Sequence, residues 1–126
     1  MDEDVRRALR HGHRIDITTT GRRSGKPRRI EIVFHTFDGR IYISGLPSRR
    51  KRAWLANLEA NPRMTVHLKR PRVTADLPAI ARVIGDEVER RQVLSRIAAV
   101  WKRDDVEAMV AYSPLIEVTI DEAATT

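Results

Sequence analysis

The 126-residue sequence contains no cysteine, and this absence removes several kinds of chemistry at once. Without thiols the chain has no disulfides, no thiolate metal ligands and no cysteine nucleophile. It also lacks any apolar run near the ~20 residues of a membrane-spanning helix. Met1 is followed by Asp-Glu-Asp and not by a hydrophobic stretch. We therefore expect no signal peptide and a cytoplasmic protein.

Aromatic residues are scarce as well, at 5% of the chain, and their distribution bears on the two most basic segments. The first basic loop, residues 21–29, reads Gly-Arg-Arg-Ser-Gly-Lys-Pro-Arg-Arg, and the second basic loop, residues 48–52, reads Ser-Arg-Arg-Lys-Arg. Neither loop contains an aromatic residue. Proteins that bind single-stranded nucleic acid interleave cations with aromatic side chains on which the bases stack. We therefore expect no nucleic-acid partner.

Residues for metal binding or hydrolysis are present but not grouped. His11, His13, His35 and His67 form no His-x3-His motif or His/carboxylate cluster on one element, so the sequence predicts no metal site. The serines lack the context of a nucleophile elbow. If the protein is an enzyme, a cofactor is expected to supply the difficult chemistry.

The positive charge is concentrated in the first half of the chain. Residues 1–72 hold 18 Lys and Arg against 7 Asp and Glu, whereas residues 73–126 hold 6 against 10. Such a field indicates an anionic partner. In the first basic loop, glycines allow backbone N–H groups to approach an oxyanion, and Arg side chains match phosphate geometry. The spacing of a Walker loop is absent. The residues alone leave anion binding and a solvated hairpin tip as equal alternatives.

Hydrophobic periodicity predicts a mainly β protein with helices beside the sheet. An Asp38-Gly39 turn indicates a hairpin, and Pro78 is expected at a strand edge or bulge. A helix over residues 86–101 is expected to present Val93, Leu94, Ile97, Val100 and Trp101 on one face. The predicted strands lie within residues 14–20, 30–35, 41–44, 64–68, 73–84 and 116–120, and further short helices within 5–11 and 53–60.

This order of elements suits an antiparallel sheet curled into a barrel, in the α+β class. The length allows one core, so residues 1–126 are predicted to form a single domain, with residues 1–13 as an N-terminal helix or arm. The hairpin and the lack of regular strand–helix alternation argue against a doubly wound parallel sheet.

Two segments resemble motifs of the deazaflavin-dependent nitroreductase family. Residues 17–29 read Ile-Thr-Thr-Thr-Gly-Arg-Arg-Ser-Gly-Lys-Pro-Arg-Arg, and residues 54–62 read Trp-Leu-Ala-Asn-Leu-Glu-Ala-Asn-Pro. Their separation also fits the family, and the resemblance extends over residues 14–70. It implies a split β-barrel of the flavin-reductase, FMN-binding-like type. It also implies coenzyme F420, whose phosphate and poly-glutamate tail would suit a basic surface.

The same resemblance implies where the cofactor would bind. Arg23, Ser24, Lys26 and Arg28 would lie near the phosphate and tail, residues 44–50 would line the deazaflavin ring, and the helix that follows would support that loop. The implied cofactor-binding residues are Arg22, Arg23, Ser24, Gly25, Lys26 and Arg28, then Ser44, Gly45, Leu46, Pro47, Ser48, Arg49 and Arg50, and finally Trp54 and Asn57.

The implied reaction is hydride transfer from reduced F420 to a quinone, a nitro compound or an activated alkene, with no catalytic side chain assigned. Leu46-Pro47 stands where the family has paired glycines, and Pro47 has no N–H to offer the ring. Two alternatives therefore stay open: an FMN-binding oxidoreductase, and a non-catalytic binder of a lipid or another anionic ligand. The expected partners are the small-molecule cofactor and substrate. A homodimer and contact with a membrane surface or a lipophilic substrate are left open.

Overall fold

A computed structural model describes residues 1–125 and shows six antiparallel strands closed into a barrel. Thr126, the last residue of the predicted domain, lies outside the described residues. Around the barrel the strands follow the order β1-β2-β3-β6-β5-β4. Their bounds are β1 Arg14–Thr20, β2 Pro27–Phe37, β3 Arg40–Ser44, β4 Arg63–Arg70, β5 Val73–Val83 and β6 Leu115–Ile120. The predicted antiparallel barrel is confirmed.

Alternating side chains fill the barrel. In β1, Ile15, Ile17 and Thr19 are buried, whereas Asp16 and Thr18 lie on the outer face. Because successive strand residues point to opposite faces, this period of two places one apolar set inside the closed sheet. The interior is filled mainly by large aliphatic side chains and Phe34.

The β2–β3 hairpin turns at Asp38 and Gly39, as predicted. Both residues have positive φ, 54° and 77°. Two such residues in succession match the right-handed twist of the strands on either side, and Asp-Gly tolerates them well. The turn fixes the register Phe37↔Arg40 and Phe34↔Ile43, which places Phe34 and Ile43 together in the core.

In the described part of the chain, four α-helices flank the barrel: α1 Glu3–Ala8, α2 Ala53–Ala60, α3 Glu87–Trp101 and α4 Val106–Tyr112, followed by a short 3₁₀ helix, Glu122–Thr125. The first helix begins earlier than the predicted 5–11, because the Asp2 side chain caps it by accepting a hydrogen bond from Asp4 N at 2.7 Å. It also ends earlier, with Leu9 as its C-cap. The sequence prediction missed α4 altogether. Within residues 1–125, none of the helices has the length and apolarity needed to cross a bilayer.

The helices α3 and α4 cover part of the outer face of the barrel. Val93, Leu94 and Ile97 are buried there against Tyr42, Met109 and Leu115. The predicted apolar face of α3 is wrong at Val100, which is 57% exposed, since Ala98 takes the buried position instead.

The predicted edge position of Pro78 is local: the barrel is closed, but residues 73–78 of β5 have no pairing partner in β6. Pro78 pairs with Thr65 of β4, and the β5–β6 ladder begins one residue later at Ala79↔Ile120. The missing N–H of Pro78 therefore falls just before the pairing with β6 starts. Its carbonyl still accepts a hydrogen bond from Asp121 N at 2.8 Å.

Chain direction brings the two basic loops to the same end of the barrel. β1 ends at Thr20, β2 begins at Pro27 and β3 ends at Ser44, and these strands pair antiparallel in sequence. The first basic loop and the segment that leads to α2 therefore leave the barrel on the same side.

Candidate functional site: two arginine-rich clefts at one end of the barrel

The first basic loop is held in shape by its own main chain. Gly21 N donates to the Lys26 carbonyl at 2.8 Å, and Gly25 N donates to the Gly21 carbonyl at 2.8 Å. Lys26 N donates to Ser24 Oγ at 3.1 Å. These short-range bonds occupy the inner side of the turn, so the charged side chains extend outward.

Asn57 of α2 anchors this loop to the barrel. Its side-chain oxygen accepts a hydrogen bond from Arg22 N at 3.0 Å, and its Nδ2 donates to Thr19 Oγ1 at 3.1 Å. Asn57 and Thr19 are both buried. Because a buried amide needs partners at both ends, this pair of bonds fixes the position of the loop relative to α2.

A cleft of about 420 Å³ opens between this loop and α2. Five arginines line this first cleft, and no carboxylate does. Of these five, Arg29 also forms an ion pair with Asp16 on the outer face of the barrel, with 2.9 Å between Arg29 Nε and Asp16 Oδ2. The lining residues are Thr19, Gly21, Arg22, Arg23, Ser24, Arg28, Arg29, Ile30, Arg52, Ala53, Trp54 and Asn57.

The amino-terminal end of α2 faces the first cleft. Its first two residues, Ala53 and Trp54, line the cleft, and Arg52 makes no side-chain hydrogen bond that would cap the first turn. The first N–H groups of a helix and its dipole favour an anion at this position. Trp54 is also part of the barrel core and is only 9% exposed.

A second cleft of about 330 Å³ lies beside the second basic loop. It is bounded by Ser48–Arg52 on one side and by the end of α4 with the following turn on the other. Ser48 N donates to the Tyr112 carbonyl at 3.3 Å, and the Arg49 guanidinium lies 5.3 Å from the Tyr112 ring centre. These contacts join the second basic loop to α4.

Arg90 of α3 forms one wall of the second cleft. Its guanidinium donates to four main-chain carbonyls, those of Ile84, Met109, Val110 and Ser113, at 2.6 to 3.3 Å. Burial lowers the pKa of Arg90 from its ordinary value. The side chain still brings positive charge to this wall because guanidinium groups stay protonated in proteins.

Arg52 belongs to both clefts. Its guanidinium lies flat over Gly45, where an added Cβ would stand 2.9 Å from Nη2 and 3.1 Å from Cζ. The absence of a side chain at Gly45 is therefore what lets Arg52 occupy the junction between the two clefts.

The structure separates the predicted cofactor-binding residues into groups. Arg22, Arg23, Ser24, Arg28, Trp54 and Asn57 line the first cleft, and Ser48, Arg49 and Arg50 line the second. Gly25 and Lys26 are exposed and line neither. Ser44 is buried and donates to the Pro114 carbonyl at 2.6 Å, while Leu46 is 54% exposed and, like Pro47, lies outside both linings.

Sequence reasoning left out several lining residues, of which Arg52 matters most. Its signal was present, since it ends a run of four cations immediately before α2. Its position over Gly45 cannot be deduced from that run. The other residues left out of the first cleft are Thr19, Gly21, Arg29, Ile30 and Ala53.

Solved structures share this fold. A conserved hypothetical protein of Mycobacterium tuberculosis, Rv2991, has 15% identity and a TM-score of 0.75 over 96% of this chain and 81% of its own. A structure described as an F420 reductase has 14% identity and a TM-score of 0.69, covering 95% of each chain. An F420-H2 dependent reductase, FDR-A, has 21% identity and a TM-score of 0.59 over 84% of this chain and 93% of its own. At these identities the likeness concerns the fold.

No curated protein matches the chain. A family model described as F420H(2)-dependent quinone reductase matches residues 3–122, which include every strand and both clefts. The expected resemblance to deazaflavin-dependent reductases is thereby confirmed, and with it the cofactor F420. This chain belongs to the F420H2-dependent quinone reductase family.

Proposed function

We propose that the protein reduces a quinone-type acceptor with F420H2, holding the cofactor's phosphate and tail in the first cleft. The deazaflavin ring is directed toward residues 44–50, near the junction at Arg52. Nitro compounds and activated alkenes are further acceptors under the same proposal. A cytoplasmic location and a homodimer are parts of it that stay predictions.

One observation carries this proposal: five arginines and no carboxylate line the first cleft, beside an uncapped helix end. The phosphate and the glutamate carboxylates of F420 are anions that such donors recognise. Guanidinium groups bind phosphate and carboxylate through paired N–H bonds, and the helix end adds backbone donors. The donor set therefore fits the anionic half of the cofactor.

When bound, reduced F420 supplies a hydride and a proton, so that a quinone gains two electrons and two protons and leaves as the hydroquinone. The protein contributes position and charge. Asn57 holds the first basic loop against α2, and the arginines fix the tail, which orients the ring at the far end.

Main-chain donors near the ring are fewer than the family motif would provide. Pro47 has no N–H, and Ser48 N already donates to the Tyr112 carbonyl. We therefore expect the ring to be oriented by the cationic side chain at the cleft junction, Arg52, more than by backbone amides.

The test is a fluorescence titration of the purified protein with F420. Arg28→Ala removes a guanidinium from the first cleft and should weaken F420 binding about tenfold or more, the usual value of a charge-assisted hydrogen bond. Lys26→Ala removes a cation of the same loop that lies outside the cleft, and should weaken it much less.

Absence of F420 binding at high micromolar concentration would contradict the proposal. Equal losses from Arg28→Ala and Lys26→Ala would contradict the placement of the tail in the first cleft. Binding of FMN in preference to F420 would return the function to the flavin alternative.

A further inference from the structure

The second cleft carries more positive charge than its own contacts neutralise. Five cationic side chains line it, against the single carboxylate of Glu59. That carboxylate already bonds Lys51 Nζ at 2.7 Å. The remaining cations of the lining are Arg49, Arg50, Arg52 and Arg90.

These cations differ in what they can offer a ligand. Arg90 donates four of its five guanidinium N–H groups to main-chain carbonyls, so it contributes charge and a single remaining donor. Arg52 lies over Gly45 at the junction with the first cleft. Arg49 and Arg50 are exposed at the rim, and Arg49 is held over the Tyr112 ring. The rim arginines are therefore the groups able to meet an incoming anion.

Apart from its charged side chains and the serines Ser48 and Ser113, the lining of the second cleft is apolar. Val83 and Tyr112 are 37% and 45% exposed, high values for large hydrophobic side chains, and they line the cleft together with Leu55, Ile84 and Pro114. A volume of about 330 Å³ is at the lower end of the ~300–1,000 Å³ of small-molecule sites. The cleft thus combines a ring-sized apolar floor with a cationic rim, and it suits a ligand with an apolar ring and an anionic group.

The tail of the cofactor does not need this second group of cations. The first cleft holds Arg22, Arg23, Arg28 and Arg29 of its own, and it shares only Arg52 with the second. Separate cationic groups on either side of Arg52 indicate two separate anions.

We propose that the acceptor reduced by this protein is itself anionic: a quinone or related ring bearing a carboxylate, bound in the second cleft with its anion on Arg49 and Arg50. This inference rests on the proposed function, in which the ring of F420 lies at the junction beside this cleft. The reaction is unchanged, because hydride and proton pass to the quinone ring and the carboxylate takes no part in the transfer.

The experiment compares two acceptors that differ only in charge: a naphthoquinone with a propionate side chain, and its methyl ester. The saturated spacer keeps the carboxylate away from the quinone electrons, so the reduction potentials stay close. With saturating F420H2, we expect kcat/KM for the acid to exceed that for the ester by about tenfold or more, mainly through KM. The double variant Arg49→Gln/Arg50→Gln should reduce the acid-to-ester ratio to near one.

Arg72→Gln is the matched control, because it removes an exposed cation that lines neither cleft, and it should keep the wild-type ratio. An acid-to-ester ratio near one in the wild-type protein overturns the proposal. So does a double variant that weakens F420 binding but keeps the ratio, since Arg49 and Arg50 would then serve the cofactor tail. Failure of the proposed function looks different, since neither acid nor ester would oxidise F420H2.

Discussion

Asn57 is a buried amide whose two ends serve different parts of the site, the first basic loop through Arg22 N and the barrel through Thr19 Oγ1. Asn57→Ala leaves the buried Thr19 Oγ1 and the part-buried Arg22 N without their bond, which should lower the free energy of unfolding by about 1–3 kcal/mol. It should also weaken F420 binding, because the loop loses its fixed position. Urea unfolding and F420 titration measure the two effects.

The control is Asn61→Ala at the other end of α2, where the side chain accepts only from Arg63 N at 3.1 Å near the surface. It should leave F420 binding unchanged. A loss of F420 affinity as large in this control would show that any loosening of α2, and not the loop anchor, governs binding.

His35 gives the protein a pH-dependent stability. It lies in β2 and is 5% exposed, stacks with Phe37, meets Trp101 of α3 edge to face, and its Nε2 has no partner among the described residues. Burial lowers the pKa of His35 from its ordinary 6.5. Below pH 6.5 His35 binds a proton in the unfolded chain but stays neutral in the folded protein. The free energy of unfolding therefore falls as the pH falls from about 6.5 toward the folded pKa.

The expected slope from this residue approaches 1.4 kcal/mol per pH unit. His35→Phe keeps the ring packing and removes the titration, so its free energy of unfolding should fall less between pH 7 and pH 5. His11→Gln, at an exposed histidine, should retain the wild-type dependence. Burial lowers the pKa of His13 too, which leaves part of the slope in every one of these proteins. Identical slopes in wild type and His35→Phe would contradict the assignment.

At the scale of elements, one side chain of α3 bonds the main chain at the end of α4. The Arg90 guanidinium donates hydrogen bonds to the carbonyls of Met109 and Val110 in the last turn of α4 and to that of Ser113 just beyond it. Arg90→Leu removes this donor from the carbonyls of Val110 and Ser113, while the Met109 carbonyl keeps its bond from Ser113 N at 2.9 Å. We expect a loss of about 1–3 kcal/mol in the free energy of unfolding. Chemical denaturation followed by circular dichroism measures it.

The neighbouring arginine is a matched control on the same helix. Arg91 is half-buried and bonds only the carboxylates of Glu87 and Glu107, which are largely exposed. Surface ion pairs contribute about 0–1 kcal/mol, so Arg91→Leu should cost little. If both variants lost the same stability, the carbonyl cluster around Arg90 would not be what holds α4.

Helix α4 shows which elements cannot be predicted from the sequence. The strands could be predicted because period-two patterns are local, and α2 because Pro62 and the face of Trp54, Leu55 and Leu58 bound it. In α4, only Met109 and Val110 of seven residues are buried, too few to show a helical period, and its end depends on Arg90, 20 residues from Val110 along the chain. Non-local contacts of this kind are not visible in a local pattern.

The candidate site, too, could be predicted from the sequence only in part. Composition and motif bring out the cations of the first basic loop, but not which of them face α2, and the structure places Arg28 in the cleft and Lys26 outside it. The junction at Arg52 depends on contact with Gly45, seven positions back, across the turn between β3 and α2. The position of a side chain relative to a cleft depends on chain direction and on packing, and neither can be deduced from the residue type alone.

At the scale of the whole molecule, the location of the positive charge says more about anion binding than the net charge of +7 does. Both basic loops leave one end of the barrel, so the anionic half of F420 meets a concentrated positive field. Added salt screens charges at the surface, with a Debye length near 14 Å at 50 mM and near 4 Å at 500 mM by the usual scaling. The dissociation constant of F420 should therefore rise by roughly tenfold over this range.

The deazaflavin without phosphate and tail is the control ligand, because it presents the same ring and no anion to the first cleft. Its dissociation constant should stay nearly constant over the same salt range, and Arg28→Ala should flatten the dependence for F420 itself. If the tail-less deazaflavin weakened in parallel with F420, the salt would be acting on the ring or on the fold. Binding of the tail by the arginines of the first cleft would then be contradicted. A dissociation constant that rises steeply with salt for F420, and stays constant for the tail-less deazaflavin, would instead show that these arginines bind the tail.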